Sequence, residues 1–289
     1  MKNLLTGSDV FNHMAMLRSG TGKAYIFVEG GDDCGLIDSH LDRPNCDTVP
    51  SGGKVAVAEA IGIAESQGLS GVAAVLDRDW VGILQSETST GRVFYTDFYD
   101  IDSLAFSRNR NVDGFISNFA RKELVSQLAA SLSGMSIWDV VIRIAFPIGV
   151  LRFLSEGNSW GLHLRDFPVH EVLDGEFTGI DSDALICEAL GRSKKAKVSS
   201  EELKVRLDEE ILRISDRYRY CSGHDLMAAL AALVRHRLGS QVSAKVAGAT
   251  IRAAFSCDDA RQSNLFSSLA RWGREEGISV LTCEKPSSL

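Results

Sequence analysis

Hydrophobic positions follow two patterns that divide the chain near residue 110. In the first part, short apolar runs alternate with segments of helical period. Ala24-Tyr25-Ile26-Phe27-Val28 and Val72-Ala73-Ala74-Val75-Leu76 are uninterrupted, as expected of strands buried on both faces. Residues 92–96 read as a third strand and 46–49 as a short extended piece. Between them the spacing predicts helices over about 8–18, with Ser8 as N-cap, over 34–41, and over 53–67. In the last of these, Val55, Ala58, Ile61 and Ala64 share one face. Continuous strands separated by helices predict an α/β fold with a parallel sheet flanked by helices.

Beyond about residue 110 the period is helical. Segments 112–132 and 136–154 are amphipathic or apolar at helical spacing, and a Gly-rich irregular stretch runs from 157 to 179. Ser199-Ser200-Glu201-Glu202 starts a helix carrying Leu203, Leu207 and Ile211. Gly223-His224-Asp225-Leu226 starts another, and helical segments near 243–255 and 262–276 follow. The expected organisation is a core over 1–110 and a mostly helical region over 111–289.

The chemistry sits where the apolar runs stop. Glu29 closes the first strand and is followed by Gly30-Gly31-Asp32-Asp33, whereas Asp77 and Asp79 close the second as Leu-Asp-Arg-Asp. A buried strand ending in carboxylates carries charge to the rim of a sheet, where ligand sites of α/β proteins lie. Acids brought together there repel, and a divalent cation such as magnesium relieves the repulsion. If 76–79 stays extended, Asp77 and Asp79 point to one side. Asp97, Asp100 and Asp102 follow the third strand and are placed either to complete such a site or to open a helix. Ser51-Gly52-Gly53-Lys54 precedes a helix, so its backbone N–H groups and Lys54 suit a phosphate. Arg192-Ser193-Lys194-Lys195-Ala196-Lys197 is the strongest positive cluster. Lys194 and Lys195 are therefore the candidates for nucleic-acid backbone contact, with His224 beside Asp225 at a helix start as a further phosphate contact. Gly20-Thr21-Gly22-Lys23 precedes a strand and lacks the full phosphate-loop spacing. His163 and His170 lack zinc-ligand spacing.

Composition narrows the classes. The 289 residues are 45% hydrophobic and 24% charged, as in ordinary globular chains, with no apolar run of membrane-spanning length and no N-terminal leader pattern. Six cysteines without a C-x-x-C pair form neither a zinc framework nor a disulfide scaffold, which fits a reducing cytoplasm. A net charge of −7 argues against gripping nucleic acid by bulk positive charge. It leaves room for an enzyme that reaches phosphates through metal ions, or for a partner that supplies the contact.

Three motifs in order carry a resemblance: Phe27-Val28-Glu29-Gly30-Gly31-Asp32-Asp33, Val75-Leu76-Asp77-Arg78-Asp79, and Thr96-Asp97-Phe98-Tyr99-Asp100-Ile101-Asp102. Together they resemble the Toprim domain of topoisomerases, primases and OLD-family nucleases. The chain looks most like the AriB-like Toprim effectors of PARIS anti-phage defence in bacteria, and Cys221-Ser222-Gly223-His224-Asp225-Leu226 fits that family's helical tail.

The resemblance implies a Toprim-like parallel sheet and a Mg²⁺- or Mn²⁺-dependent nuclease acting on RNA such as tRNA, or on DNA. Glu29 is then the catalytic carboxylate, with Asp77 and Asp79 as catalytic and metal-holding residues. Asp100 and Asp102 complete the ligand set; Asp102 stands where related sequences often have Glu, and His224 where they often have Lys. The resemblance also implies control by an ABC-type ATPase encoded alongside, with the helical region available for partner binding, substrate contact or dimerisation.

Two other readings compete. One is a non-catalytic Toprim-like module that binds or regulates a partner. The other is a phosphatase with Asp77 as nucleophile, which leaves Glu29-Gly30-Gly31 without a purpose.

Overall fold

The computed structural model describes residues 5–88 and 90–284. In chain order the helices and strands are α1 (Gly7–Thr21), β1 (Ala24–Val28), α2 (Gly31–Asp38), β2 (Cys46–Pro50), α3 (Lys54–Ser66), β3 (Val72–Leu76), β4 (Val93–Tyr95), α4 (Ile101–Phe106), α5 (Asn109–Phe119), α6 (Lys122–Ser131), α7 (Ile137–Gly157), α8 (Ser182–Gly191), α9 (Ser200–Arg213), α10 (Gly223–Arg237), α11 (Ala244–Ala254), α12 (Cys257–Arg261) and α13 (Asn264–Glu275). None of the described helices is long and apolar enough to cross a membrane.

The four strands form one parallel sheet in the order β2-β1-β3-β4. β1 pairs with β2 from Ala24↔Cys46 to Val28↔Pro50, and with β3 from Tyr25↔Val72 to Phe27↔Ala74. The chain thus leaves β1 for one side and later returns to build β3 on the other. That reversal opens a crevice beyond the C-terminal ends of β1 and β3, the position at which open α/β sheets bind ligands. Every residue of β1 and of β3 is buried, which explains their uninterrupted apolar runs.

Local chemistry fixes the flanking helices. α1 is capped by Thr6, whose hydroxyl accepts from the Asp9 N–H while Asp9 accepts from the Thr6 N–H; Ser8 lies inside the helix. The helix ends at Gly22, where φ is +71°. α3 turns Val57, Ala60, Ile61 and Ala64 to the core, together with Val10 and Met14 of α1 and Phe27 and Leu76 of the sheet. Val55, expected on that face, is exposed: the helix begins at Lys54, so Val55 lies in its first turn on the far side.

The chain divides into two compact units. The first joins the described part of Met1–Ile101 with that of Phe255–Leu289; the second is Asp102–Ala254. The sequence led to expect one break near 110, with everything after it in the helical region. The return of α12 and α13 to the sheet has clear causes. α13 buries Leu265, Phe266, Leu269 and Trp272 along one stripe, each worth roughly 1.5–3 kcal/mol when removed from water. Glu276 pairs with Arg92 at 3.0 Å and accepts from the Gly71 N–H at 3.0 Å.

The second unit is all helical apart from 3-10 turns and the Leu173–Ile180 bridge. α7 is its centre, buried on most of its circumference. Gly149 lets the Tyr220 carbonyl approach so closely that a Cβ would sit 2.0 Å from the oxygen. The segment expected as one helix over 112–132 is two, α5 and α6, because Ala120 and Arg121 are extended.

Candidate metal centre

Glu29 and Asp77 stand at the crevice between β1 and β3. β1 ends at Val28 and β3 at Leu76, so each acid is the first residue past its strand. Glu29 Oε1 accepts from the Asp77 N–H at 3.0 Å, which ties the two strand ends together. Gly52 donates its N–H to the Glu29 carbonyl at 3.1 Å, and the Ser51 N–H and hydroxyl both donate to the Val28 carbonyl. The loop after β2 is thereby pinned against the end of β1.

The Asp77-Arg78-Asp79 segment does not stay extended. Asp79 has φ of +40°, in the left-handed region that a non-glycine residue adopts only when its surroundings impose it. Those surroundings are visible. The Asp79 N–H donates to the Tyr99 carbonyl at 2.8 Å, and the Arg78 N–H donates to Thr96 Oγ1 at 3.0 Å. Arg78 Nε donates to the Thr96 carbonyl at 2.7 Å. Trp80 is buried edge-on against Tyr99 and serves packing, as the sequence suggested. The turn, and not a common strand face, therefore sets where the Asp79 carboxylate stands, and it meets Lys54 there.

Electrostatics single out Asp77. Its carboxyl is pushed well above the usual carboxylate range, first by burial and then by the charges of Asp100, Asp33, Glu29 and Asp79. Glu29 is also raised. Burial is the main cause, opposed by the Asp77 N–H and by Lys54, and aided by Asp79 and Asp33. The charges of four other acids thus act on Asp77 at the switch point. Lys54, at the start of α3, donates to Asp79 Oδ2 at 2.7 Å and to the Asp77 carbonyl. It partly neutralises the cluster from one side. Carboxylate oxygens are the donors that a hard divalent cation takes, and Glu29, Asp77, Asp79 and Asp100 are the residues here that could hold one. Beside it, a cleft of about 390 Å³ is lined by Gly52, Gly53, Lys54 and Glu59 among others, where the N-terminal N–H groups of α3 are presented.

The other candidates are placed differently. Both oxygens of Asp97 are used by α13, accepting from the Asn264 N–H at 2.9 Å and the Leu265 N–H at 2.8 Å. Its role is a helix cap, the alternative that its sequence allowed. Asp102 belongs to the second unit and is ion-paired with Arg252 there. His224 is exposed in the first turn of α10, capped by Ser222. Its neighbour Asp225 is buried and takes a two-pronged hydrogen bond from Arg152. Lys194 and Lys195 are exposed in the loop after α8, in the second unit.

Two features were missed in the sequence. Asp33, to which its motif gives no role, bears on both Glu29 and Asp77 and accepts from the Gly30 N–H at 2.8 Å. An acid at the third helical position after a glycine cap was the available sign. Cys257 and Cys283 form a disulfide, which no spacing announced. No protein-family model matches the chain, and a search of curated proteins finds no match.

Proposed function

We propose that the chain is a metal-dependent Toprim-type nuclease that hydrolyses phosphodiester bonds in RNA such as tRNA, or in DNA. In this reading it is a toxic effector restrained by an ATPase partner. The observation that carries the chemical part is Asp77, a half-buried carboxyl at the topological switch point of a parallel sheet, on which the charges of Glu29, Asp33, Asp79 and Asp100 all act. Such a site is unfavourable at neutral pH without a cation, and its oxygen ligands select Mg²⁺ or Mn²⁺. When bound, the ion supplies Lewis-acid polarisation of a phosphate and a more acidic water.

The chain's own residues divide the remaining work. Asp77 and Asp79, with Asp100, hold the cation. Glu29, whose carboxyl burial raises above its ordinary range, is placed to take a proton from water or return one to the leaving oxygen. Lys54 fixes Asp79 in its turn and brings positive charge to the rim where a phosphate enters. The ATPase partner and the defence role rest on the resemblance of the three acidic motifs. The test is incubation of the purified chain with tRNA, plasmid DNA and single-stranded DNA, with Mn²⁺ and without. Cleavage that needs the ion and vanishes in Glu29→Gln and Asp77→Asn supports the proposal; equal cleavage in both variants overturns it.

A second reading is favoured by one contact. Lys54 already sits on Asp79 and on the Asp77 carbonyl, so the cluster carries an internal cation of its own. A non-catalytic module that binds a partner would keep that arrangement and show no metal affinity above the millimolar range.

A further inference from the structure

Within the first unit, away from the acidic rim, three soft ligand atoms converge. His40 Nδ1 lies 3.3 Å from Cys283 Sγ and 3.9 Å from Cys257 Sγ, and the two sulfurs are bonded to each other. His40 and Cys283 are buried and Cys257 is half-buried. The imidazole stands edge-on between Phe255 and Phe266, with ring centres at 5.5 and 5.3 Å. Its other nitrogen, Nε2, is buried without a well-formed hydrogen bond, and the Phe255 carbonyl is the group that would take its proton. With Nε2 protonated, the Nδ1 lone pair faces the sulfurs.

We propose that, once the disulfide is reduced, His40, Cys257 and Cys283 form a binding site for a zinc-class metal ion, of which the disulfide is the oxidised, metal-free form. Distances support the ligand set. A tetrahedral ion with metal–sulfur bonds of about 2.3 Å and metal–nitrogen bonds of about 2.0–2.1 Å holds each N···S pair roughly 3.6 Å apart. The two His40–sulfur distances bracket that value, so only the sulfurs need to part.

The disulfide is not what keeps the three residues together. Thr282 donates its N–H to the His40 carbonyl at 2.9 Å, and the Asp42 N–H donates to the Val280 carbonyl at 2.8 Å. Arg261 Nε donates to the Cys283 carbonyl at 3.0 Å. The ligands therefore stay in place when the covalent link is cut. A cavity of about 270 Å³, lined by Arg261, Phe266, Leu281 and Cys283 among others, gives room for a water as fourth ligand.

The redox step balances with a dithiol. One reductant sulfur attacks the Cys257–Cys283 bond, a mixed disulfide forms, and the second reductant sulfur resolves it. The reductant leaves as its disulfide, and two electrons and two protons pass to the chain as two thiols. Metal binding then displaces both thiol protons to solvent.

The test uses the full chain reduced by a dithiol under argon, freed of reductant and titrated with Co²⁺ and with Zn²⁺. The expected results are thiolate-to-cobalt charge-transfer absorption that saturates at one Co²⁺ per chain, whatever further Co²⁺ the acidic rim takes without such a band, and a fall of at least about tenfold in alkylation of Cys257 and Cys283 on adding Zn²⁺. Alkylation of Cys34 and Cys187 should stay unchanged. The oxidised parent needs no substitution and should show neither effect, and Cys257→Ser should lose both. Alkylation of Cys257 and Cys283 in the reduced parent unaffected by Zn²⁺, or a charge-transfer band that survives in Cys257→Ser, overturns the proposal.

Discussion

Two carboxylates, one in each unit, meet opposite fates. Asp225 in the second unit is buried, and Arg152 covers it with Nε and Nη2, each at 2.9 Å, while the Ser222 hydroxyl adds a third donor at 2.9 Å. Asp77 in the first unit is half-buried, and the charges that raise its carboxyl are other acids. Burying a charge is costly unless it is paired. Asp225 meets that requirement with the chain's own residues, and Asp77 leaves it open. The difference separates a carboxylate that holds a fold together from one that, in the proposed function, is left for a cation.

The comparison breaks first at activity. Glu29→Gln and Asp77→Asn should each lower Mn²⁺-dependent cleavage by roughly a thousandfold or more, about 4 kcal/mol of transition-state stabilisation. Circular dichroism of both should match the parent. Asp225→Ala should act on stability instead: it removes the two-pronged partner of Arg152 and should lower stability by about 3–5 kcal/mol, seen in denaturant titration. Replacing the pair together, with Arg152→Met and Asp225→Leu, should restore most of that loss.

A smaller effect sharpens the contrast. Without metal, Asp77→Asn removes the repelled charge and should raise the melting temperature by about 2–4 °C, roughly 1 kcal/mol. A carboxyl raised above its ordinary value of 3.8 holds its proton more tightly in the folded chain. Its stabilising contribution is present below that pH and is lost as pH rises through the folded-state value. Glu29, raised from 4.5, adds in the same direction. The melting temperature of the metal-free parent, measured relative to Asp77→Asn, should therefore decline as pH rises from about 4 towards neutrality. A flat difference would remove Asp77 from the centre of the cluster. The smallest effect should come from His224→Ala, which alters an exposed first-turn residue and should leave stability within about 0.5 kcal/mol.

Much of this was legible in the sequence, for physical reasons. β1 and β3 are buried on both faces, so their runs are apolar throughout and their ends are marked by the first carboxylate. Glu29 and Asp77 could be placed at a sheet rim before any coordinates. What escaped was long-range. The amphipathic stripe of α13 shows that the helix packs, not that it packs on the sheet, and the contact of Asp97 with residues 264 and 265 spans more than 160 positions. The left-handed turn at Asp79 is imposed by Tyr99 and Thr96, which no local pattern announces. His40, Cys257 and Cys283 meet only because the C-terminal segment folds back beside residues 40–42.

In the proposed function, the acids at the ends of β1 and β3 await a divalent cation. Calorimetric titration of the metal-free chain with Mn²⁺, run beside Asp77→Asn, tests this most directly. The parent should bind Mn²⁺ more tightly than millimolar, and the variant should lose that binding. Absence of binding in the parent, or equal affinity in both, would contradict that reading.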